Sequence, residues 1–321
     1  MQQLVSVFPY LSVIIRGLLL CLQSVLVGGV AFLTLILPPP NSDTLAEREY
    51  VALRIRCVLF WCSIGLAVIQ IFYALGNSGL LMSTVNLRFS EVVGAQFFVV
   101  SDFIVIASAV FAWLIRFKKS MSCAVGMVLV ILFGSVATGH AWSRLDHRAV
   151  LGVLDLLHQA AGGVWIGGLP ILFIALRTAN NSDLAISISQ RFSRMALVGV
   201  GVVLVAGIGL SLFYFDAPSA IYGTSYGVML LGKIGLFGVL VGIGALNKSI
   251  VARFSSGIPV LLQHLRRNLE AEIGIGFTVL LAAASLTSQP PAIDQPEDRA
   301  SLHEAVHQVA PRWPQVSSPR A

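Results

Sequence analysis

The residues of this chain best able to do chemistry are two histidines and an acid. They lie in Thr138-Gly139-His140-Ala141, then Asp155-Leu156-Leu157-His158-Gln159, then Gly163-Val164-Trp165-Ile166-Gly167-Gly168-Leu169. Asp155, His158, Gly162 and Trp165 follow i, i+3, i+7, i+10 spacing, which places them on one face of a helix. His140 ends the preceding apolar segment at a similar level, so two imidazoles and a carboxylate can approach one ligand. Imidazole with carboxylate suits a borderline divalent ion such as Cu(II) or Zn(II), whereas Cu(I) prefers thiolate or thioether. The competing reading is a His158 that only bonds Asp155 or a backbone carbonyl between helices. His147, beside Asp146 and Arg148, is either a solvated loop residue or a further ligand at the mouth. Gly139, Gly162 and Gly163 leave room beside the site, and Trp165 is placed to floor it.

The elements that must hold these residues are set by composition. Hydrophobic residues make up 56% of the chain and charged residues 11%, with mean hydropathy +0.85. A soluble domain carries about 25% charged residues, so the expectation is an all-α, polytopic transmembrane bundle in a lipid bilayer. Apolar runs of about 20 residues predict eight spans, at 10–37, 51–75, 91–115, 121–142, 149–176, 193–215, 226–247 and 270–288. The first has no basic leader and no small-residue cleavage site, so it reads as a retained helix with the chain starting at or near Met1. Together the spans form a membrane domain over 1–288, followed by a polar tail over 289–321.

Lysine and arginine orient the bundle. The loops after spans 1, 3, 5 and 7 hold 13 of them, and those after spans 2, 4 and 6 hold only Arg88, Arg144 and Arg148. This positive-inside bias predicts that both termini, with His140, His147 and the tail, face the periplasm. Tyr10, Trp142, Tyr214 and Tyr226 fall near the outer boundary, as an aromatic belt would. The net charge of +6 thus reports topology and implies no nucleic-acid partner.

Other polar groups lie inside the spans. Asp102 and Lys233 each cost several kcal/mol if left facing lipid, so they are expected either to pair with one another or to line an ion path. Cys21, Cys57, Cys62 and Cys123 sit in apolar segments without a CxxC spacing, which excludes a disulfide framework. The glycines at Gly163-xxx-Gly167 and Gly238-xxx-Gly242 read as packing seams. His303-Glu304-Ala305-Val306-His307 matches HExxH literally, but a short tail lacks the third ligand and the walled cleft of a protease. No catalytic residue is assigned, and the chain is not read as an enzyme.

In order, Gly139-His140-Ala141, Leu157-His158, Trp165 to Leu169, Arg191-Phe192-Ser193-Arg194, Tyr226-Gly227, Lys233, Asn247-Lys248 and Glu272 through Pro290-Pro291 resemble the copper resistance protein D (CopD) family. The resemblance covers about 121–291. It implies an inner-membrane protein of bacterial copper handling that moves copper from the periplasm inward and works with a periplasmic copper-binding CopC-like β-sandwich protein. His140 and His158 stand inside the matching motifs. Two alternatives stay open: a b-type haem electron carrier with His140 and His158 as axial ligands, and a non-transporting membrane partner of a periplasmic copper chaperone.

Overall fold

The computed structural model describes residues 2–39, 44–85, 88–139, 142, 144, 146–179, 182–253, 258–296 and 299–309. Among these residues the chain is helical and has no strand. Seven helices are long and apolar enough to cross a membrane. They are α1 (Gln2–Ala31, continued by a π-helical turn at Phe32–Ile36), α2 (Leu45–Thr84), α4 (Gln96–Arg116), the pair α6 (Arg148–Ile166) and α7 (Gly168–Thr178), α8 (Ser182–Tyr214), α10 (Ser225–Ala252) and α11 (Ile258–Leu286). Short helices α3 (Phe89–Val93), α9 (Ser219–Gly223) and α12 (Leu302–Val309) lie between or after them.

The expected fourth span, 121–142, is α5 (Met121–Ala137), an apolar helix of 17 residues. At 1.5 Å per residue it is about 25 Å long, short of a hydrocarbon core of about 30 Å. Ser120 caps its start by accepting the Cys123 amide, and Thr138 ends it with its N–H on the Gly134 carbonyl. Three other helices outrun the expected spans: α2, whose 40 residues extend beyond 51–75 at both ends, and α8 and α11, which begin at Ser182 and Ile258 ahead of the expected 193 and 270. Polar stretches such as Glu47-Arg48-Glu49 and Asn77-Ser78 remain helical in α2, so an apolar run marks only the part of a helix that lipid or protein must cover.

One span is interrupted for a local reason. Helices α6 and α7 form a single apolar stretch, Arg148–Thr178, interrupted at Gly167. Pro170 has no N–H to offer the carbonyl four residues back, and Gly167 and Gly168 add no side chain to stiffen the joint.

Helices α1 and α6 form the interior of the bundle. Helix α1 packs on α2, α6, α7 and α11, while α6 also packs on α5 and α8. Pairs α2 with α4, α4 with α5, and α10 with α11 complete the array. The outer helices leave apolar side chains uncovered, among them Phe103, Ile106, Val198, Val205, Leu212, Ile234 and Val239. In a bilayer such faces belong against lipid.

The joint of α6 and α7 is also where α1 comes closest. A Cβ at Gly167 would lie 1.8 Å from the Ser24 carbonyl oxygen, one at Gly28 2.2 Å from the Gly168 nitrogen, and one at Gly163 2.9 Å from Val27. The Gly163-xxx-Gly167 seam is therefore a backbone-on-backbone crossing, the arrangement that small residues permit in membranes. Gly238 and Gly242 have nothing within 4 Å, so that second pair is not a seam within this chain.

Overpacking an ordinary core costs about 1–3 kcal/mol, and here the neighbour is backbone and cannot rotate away. Gly167→Ala and Gly28→Ala should each lower the thermal unfolding midpoint in detergent by several degrees or prevent folding. Gly238→Ala should leave it unchanged, and equal midpoints for all three would contradict the crossing.

Candidate functional site

Asp155 and His158 lie about two and three turns into α6 from Arg148. The helix face they share turns toward α8 and α10. His158 Nδ1 is 3.1 Å from the Val203 carbonyl oxygen of α8. A carbonyl only accepts, so Nδ1 carries the proton and the lone pair is on Nε2. Gly207, one turn beyond Val203, makes room for the ring: a Cβ there would lie 3.3 Å from His158 Cε1.

Asp155 is half-buried and lies against the end of α5, with Oδ2 3.6 Å from where a Gly139 Cβ would be. It also acts electrostatically on Tyr214, Tyr226 and Lys233. Lys233, from α10, reaches His158 as well. Lys233 therefore lies within electrostatic range of Asp155, and the Lys233–Asp102 pair considered above does not form. Asp102 is exposed on α4, which packs on α2 and α5, whereas α10 packs on α8, α9 and α11.

The remaining expected site residues are spread along the same axis. His140 and its neighbour Ala141 lie outside the described residues. His147 precedes α6 in the left-handed region at φ 57°, where histidine is more tolerated than most residues. It is exposed, with its ring 5.3 Å from Phe213, at the rim and not at the level of His158. Trp165, nearly five turns into α6, is 2% exposed and meets Phe237 edge-on at 5.8 Å. Among the described residues no group of three or more histidine, cysteine, aspartate or glutamate side chains is positioned to hold a metal ion.

Several functional candidates escaped the sequence reading. Tyr214 and Tyr226 are buried against one another, ring centres 6.1 Å apart, beside Asp155. They therefore do not join the aromatic belt, unlike Tyr10 and Trp142, which are exposed. Gln159 joins three helices, accepting from Gln23 of α1 at 3.1 Å and from Ser135 of α5 at 2.9 Å. Deeper still, Glu272 of α11 is 3% exposed and accepts from Asn247 of α10 at 2.6 Å, while Asn268 donates to Asn247 at 3.0 Å. The Trp165 side chain hydrogen-bonds the same carboxyl. An acid and an asparagine inside apolar helices are themselves a signal of function, but no spacing rule joins Trp165, Asn247 and Glu272 across three helices.

The tail closes the end of the bundle nearest Asp155. Arg144, in the connection between α5 and α6, pairs with Asp294 at 3.3 Å. Arg299 binds both carboxylate oxygens of Asp216, at 2.6 and 2.8 Å, and Ala300 N–H donates to the Gly223 carbonyl. A Cβ at Gly223 would sit 2.8 Å from the Ala300 oxygen, so this glycine permits the docking.

Comparison with known proteins matches residues 186–286 to the family described as Copper resistance protein D. Copper transport protein CutJ of Bacillus subtilis (strain 168) is 31% identical over 163 residues, which is 50% of this chain and 29% of that protein. Copper resistance protein D of Pseudomonas syringae pv. tomato is 27% identical over 213 residues, 57% of this chain and 69% of that protein. The chain therefore spans less than a third of CutJ's length. No solved structure matches it. The matched segment carries Lys233, Asn247 and Glu272 and does not include Asp155 or His158.

The Arg299 hydrogen bonds hold the Asp216 carboxyl below the usual carboxylate range. A depressed folded-state pKa stabilises docking above the pKa of the undocked acid, and that contribution disappears as the pH falls through the lower, docked value. Exchange of the Ala300 amide, corrected for its intrinsic rate, should therefore accelerate as the solution is acidified through and below the carboxylate range. Arg299→Gln should exchange fast at neutral pH already. A pH-independent rate in the wild type would remove Asp216 from the docking.

Proposed function

From the match of residues 186–286 to the copper resistance protein D family, we propose that this chain is a member of that family, accepts copper at Asp155 and His158 and passes it through the bundle. The observation that carries this reading is the bond between His158 Nδ1 and the Val203 carbonyl. It fixes the tautomer and ring plane and leaves Nε2 as a ligand atom, the role an outer-shell acceptor plays for a metal-binding histidine. Asp155, one turn away on the same face, supplies an oxygen donor. A nitrogen and oxygen donor set favours Cu(II) over Cu(I). His140, which by sequence ends the preceding apolar segment, and His147 at the rim complete the ligand set we propose.

Lys233 has a defined part in this scheme. A lone carboxylate within the membrane is costly, and a nearby ammonium offsets that cost while the site is empty. Arriving copper replaces Lys233 as the counter-ion of Asp155. Because the ammonium stays within reach, it also weakens copper binding and favours release. Trp165, below the site on α6, and Asp102, apart on α4, complete the proposed path.

Copper enters, on this reading, from the periplasmic side, taken as the end holding His147 and the tail from the distribution of Lys and Arg. It moves inward across the bacterial inner membrane, supplied by a CopC-like periplasmic protein. No nucleotide-binding motif is used, and movement follows the gradient and the loading of the donor.

Copper and haem content with an absorption spectrum of detergent-purified protein tests the reading. Wild type should retain copper. His158→Ala should weaken binding by more than the roughly 10- to 100-fold that loss of an outer-shell partner costs. Gly207→Val, which crowds the ring without removing a ligand, should fall between them. A Soret band lost in His158→Ala would replace copper by haem. Copper bound without uptake into proteoliposomes would leave a membrane partner and not a transporter.

A further inference from the structure

The HExxH-like run of the tail is unused by the site within the bundle, yet the structure gives it a defined form. Residues Leu302–Val309 make the helix α12. Its N-terminus is held by Ser301 and Glu304: the Ser301 N–H and Oγ reach Glu304 Oε2 at 2.9 and 2.8 Å, and the Glu304 N–H donates back to Ser301 Oγ at 3.3 Å. This is a capping box, which satisfies helix-end amides that otherwise have no partner. In a metalloprotease the acid of HExxH is the general base. Here its carboxylate is committed to the cap, a second argument against proteolysis beside the missing cleft.

His303 and His307 are one turn apart on this capped helix, both exposed, with ring centres 6.1 Å apart and planes 18° from parallel. At i, i+4 their rings project over the same turn. Rotation about χ2 brings one nitrogen of each to the distance of about 2 Å at which imidazole binds a borderline divalent metal. The helix is also anchored. Arg299 on Asp216 and Ala300 on Gly223 fix the chain just before α12, and Arg144 on Asp294 fixes it earlier. These contacts hold the two rings at the end of the bundle where α6 begins, the same end as His147 and Asp155.

We propose that His303 and His307 form a two-histidine Cu(II) site on the docked tail, a loading station outside the bundle. Two imidazoles leave the remaining coordination positions to water or to a donor's ligand, so the ion is held loosely and can be exchanged. Among divalent first-row ions Cu(II) binds such nitrogen sites most tightly, and Zn(II) less so. The site rests on the copper reading above only for the destination of the ion; its own binding follows from the tail.

Full-length protein in detergent, titrated with Cu(II) sulfate and followed by electron paramagnetic resonance, tests the site. Wild type should bind one more Cu(II) than the His303→Ala/His307→Ala double variant, and the extra ion should show coupling to two nitrogens. His303→Ala and His307→Ala should each weaken that ion by at least tenfold, and excess Zn(II) should displace it only at higher concentration. Loss in one single variant with none in the other, or an unchanged stoichiometry and spectrum in the double variant, would overturn the shared site. His158→Ala should leave the tail ion intact, so failure of the intramembrane site and failure of the tail site give different results. The two tail residues are exposed, and an unchanged unfolding midpoint in the double variant confirms that the comparison is between folded proteins.

Discussion

The close crossing of α1 with the joint of α6 and α7 is the constraint on which the bundle depends. In a membrane there is no hydrophobic force between apolar helices, so close packing and interhelical hydrogen bonds must hold them together. At Ser24, Gly28 and Gly167 the two backbones meet without intervening side chains, and Gly163 takes the Val27 side chain. One turn or two away, Gln23, Gln159 and Ser135 add hydrogen bonds that link α1 and α5 to α6. Helix α6 is thereby fixed in rotation and depth, and the face opposite α1, with Asp155 and His158, is presented to α8 and α10. A change in the crossing would move Asp155 and His158 without touching them.

Rotation of α6 decides where each polar group finds relief from the apolar surroundings. His158 finds a carbonyl on α8, and Gly207 makes the approach possible. Asp155 finds Lys233 on α10, with Tyr214 and Tyr226 close by. Glu272 finds the Asn247 amide, itself held by Asn268, and an indole. Each group is satisfied by a helix other than its own, the pattern expected where an unpartnered polar side chain costs several kcal/mol. Outer helices carry few such groups and expose isoleucine, valine, leucine and phenylalanine instead.

This separation explains what could be read from the chain alone. The spans were legible because a hydrocarbon core demands long apolar runs, and Asp155 with His158 because helical periodicity places them together from local spacing. Helix α2 was underestimated because hydropathy reports the covered portion of a helix and not its ends. The proximity of Lys233 to Asp155 and not to Asp102, the burial of Tyr214 and Tyr226, and the Glu272 network depend on which helices become neighbours, and α10 is far from α6 in sequence. The tail was read as a polar appendage. Its docking rests on Arg144, Asp216, Gly223, Asp294 and Arg299, none of which is distinctive by spacing.

The polar groups also form a graded series across the membrane. Measured along α6, Asp155 lies about 10 Å from the start of the helix, His158 about 15 Å and Trp165 about 25 Å, with Glu272 in contact with Trp165. A hydrocarbon core is about 30 Å thick, so the largest gap between successive groups is about a third of it. An ion stripped of water could not cross that thickness in one step against a cost of several kcal/mol per charge. Steps between partly satisfied polar levels divide the cost. The same logic requires that no level bind too well, since an ion held by a complete ligand set would stop there. A single fixed imidazole, one carboxylate shared with a lysine, and neutral amides further in meet that requirement better than a closed tetrahedral cage.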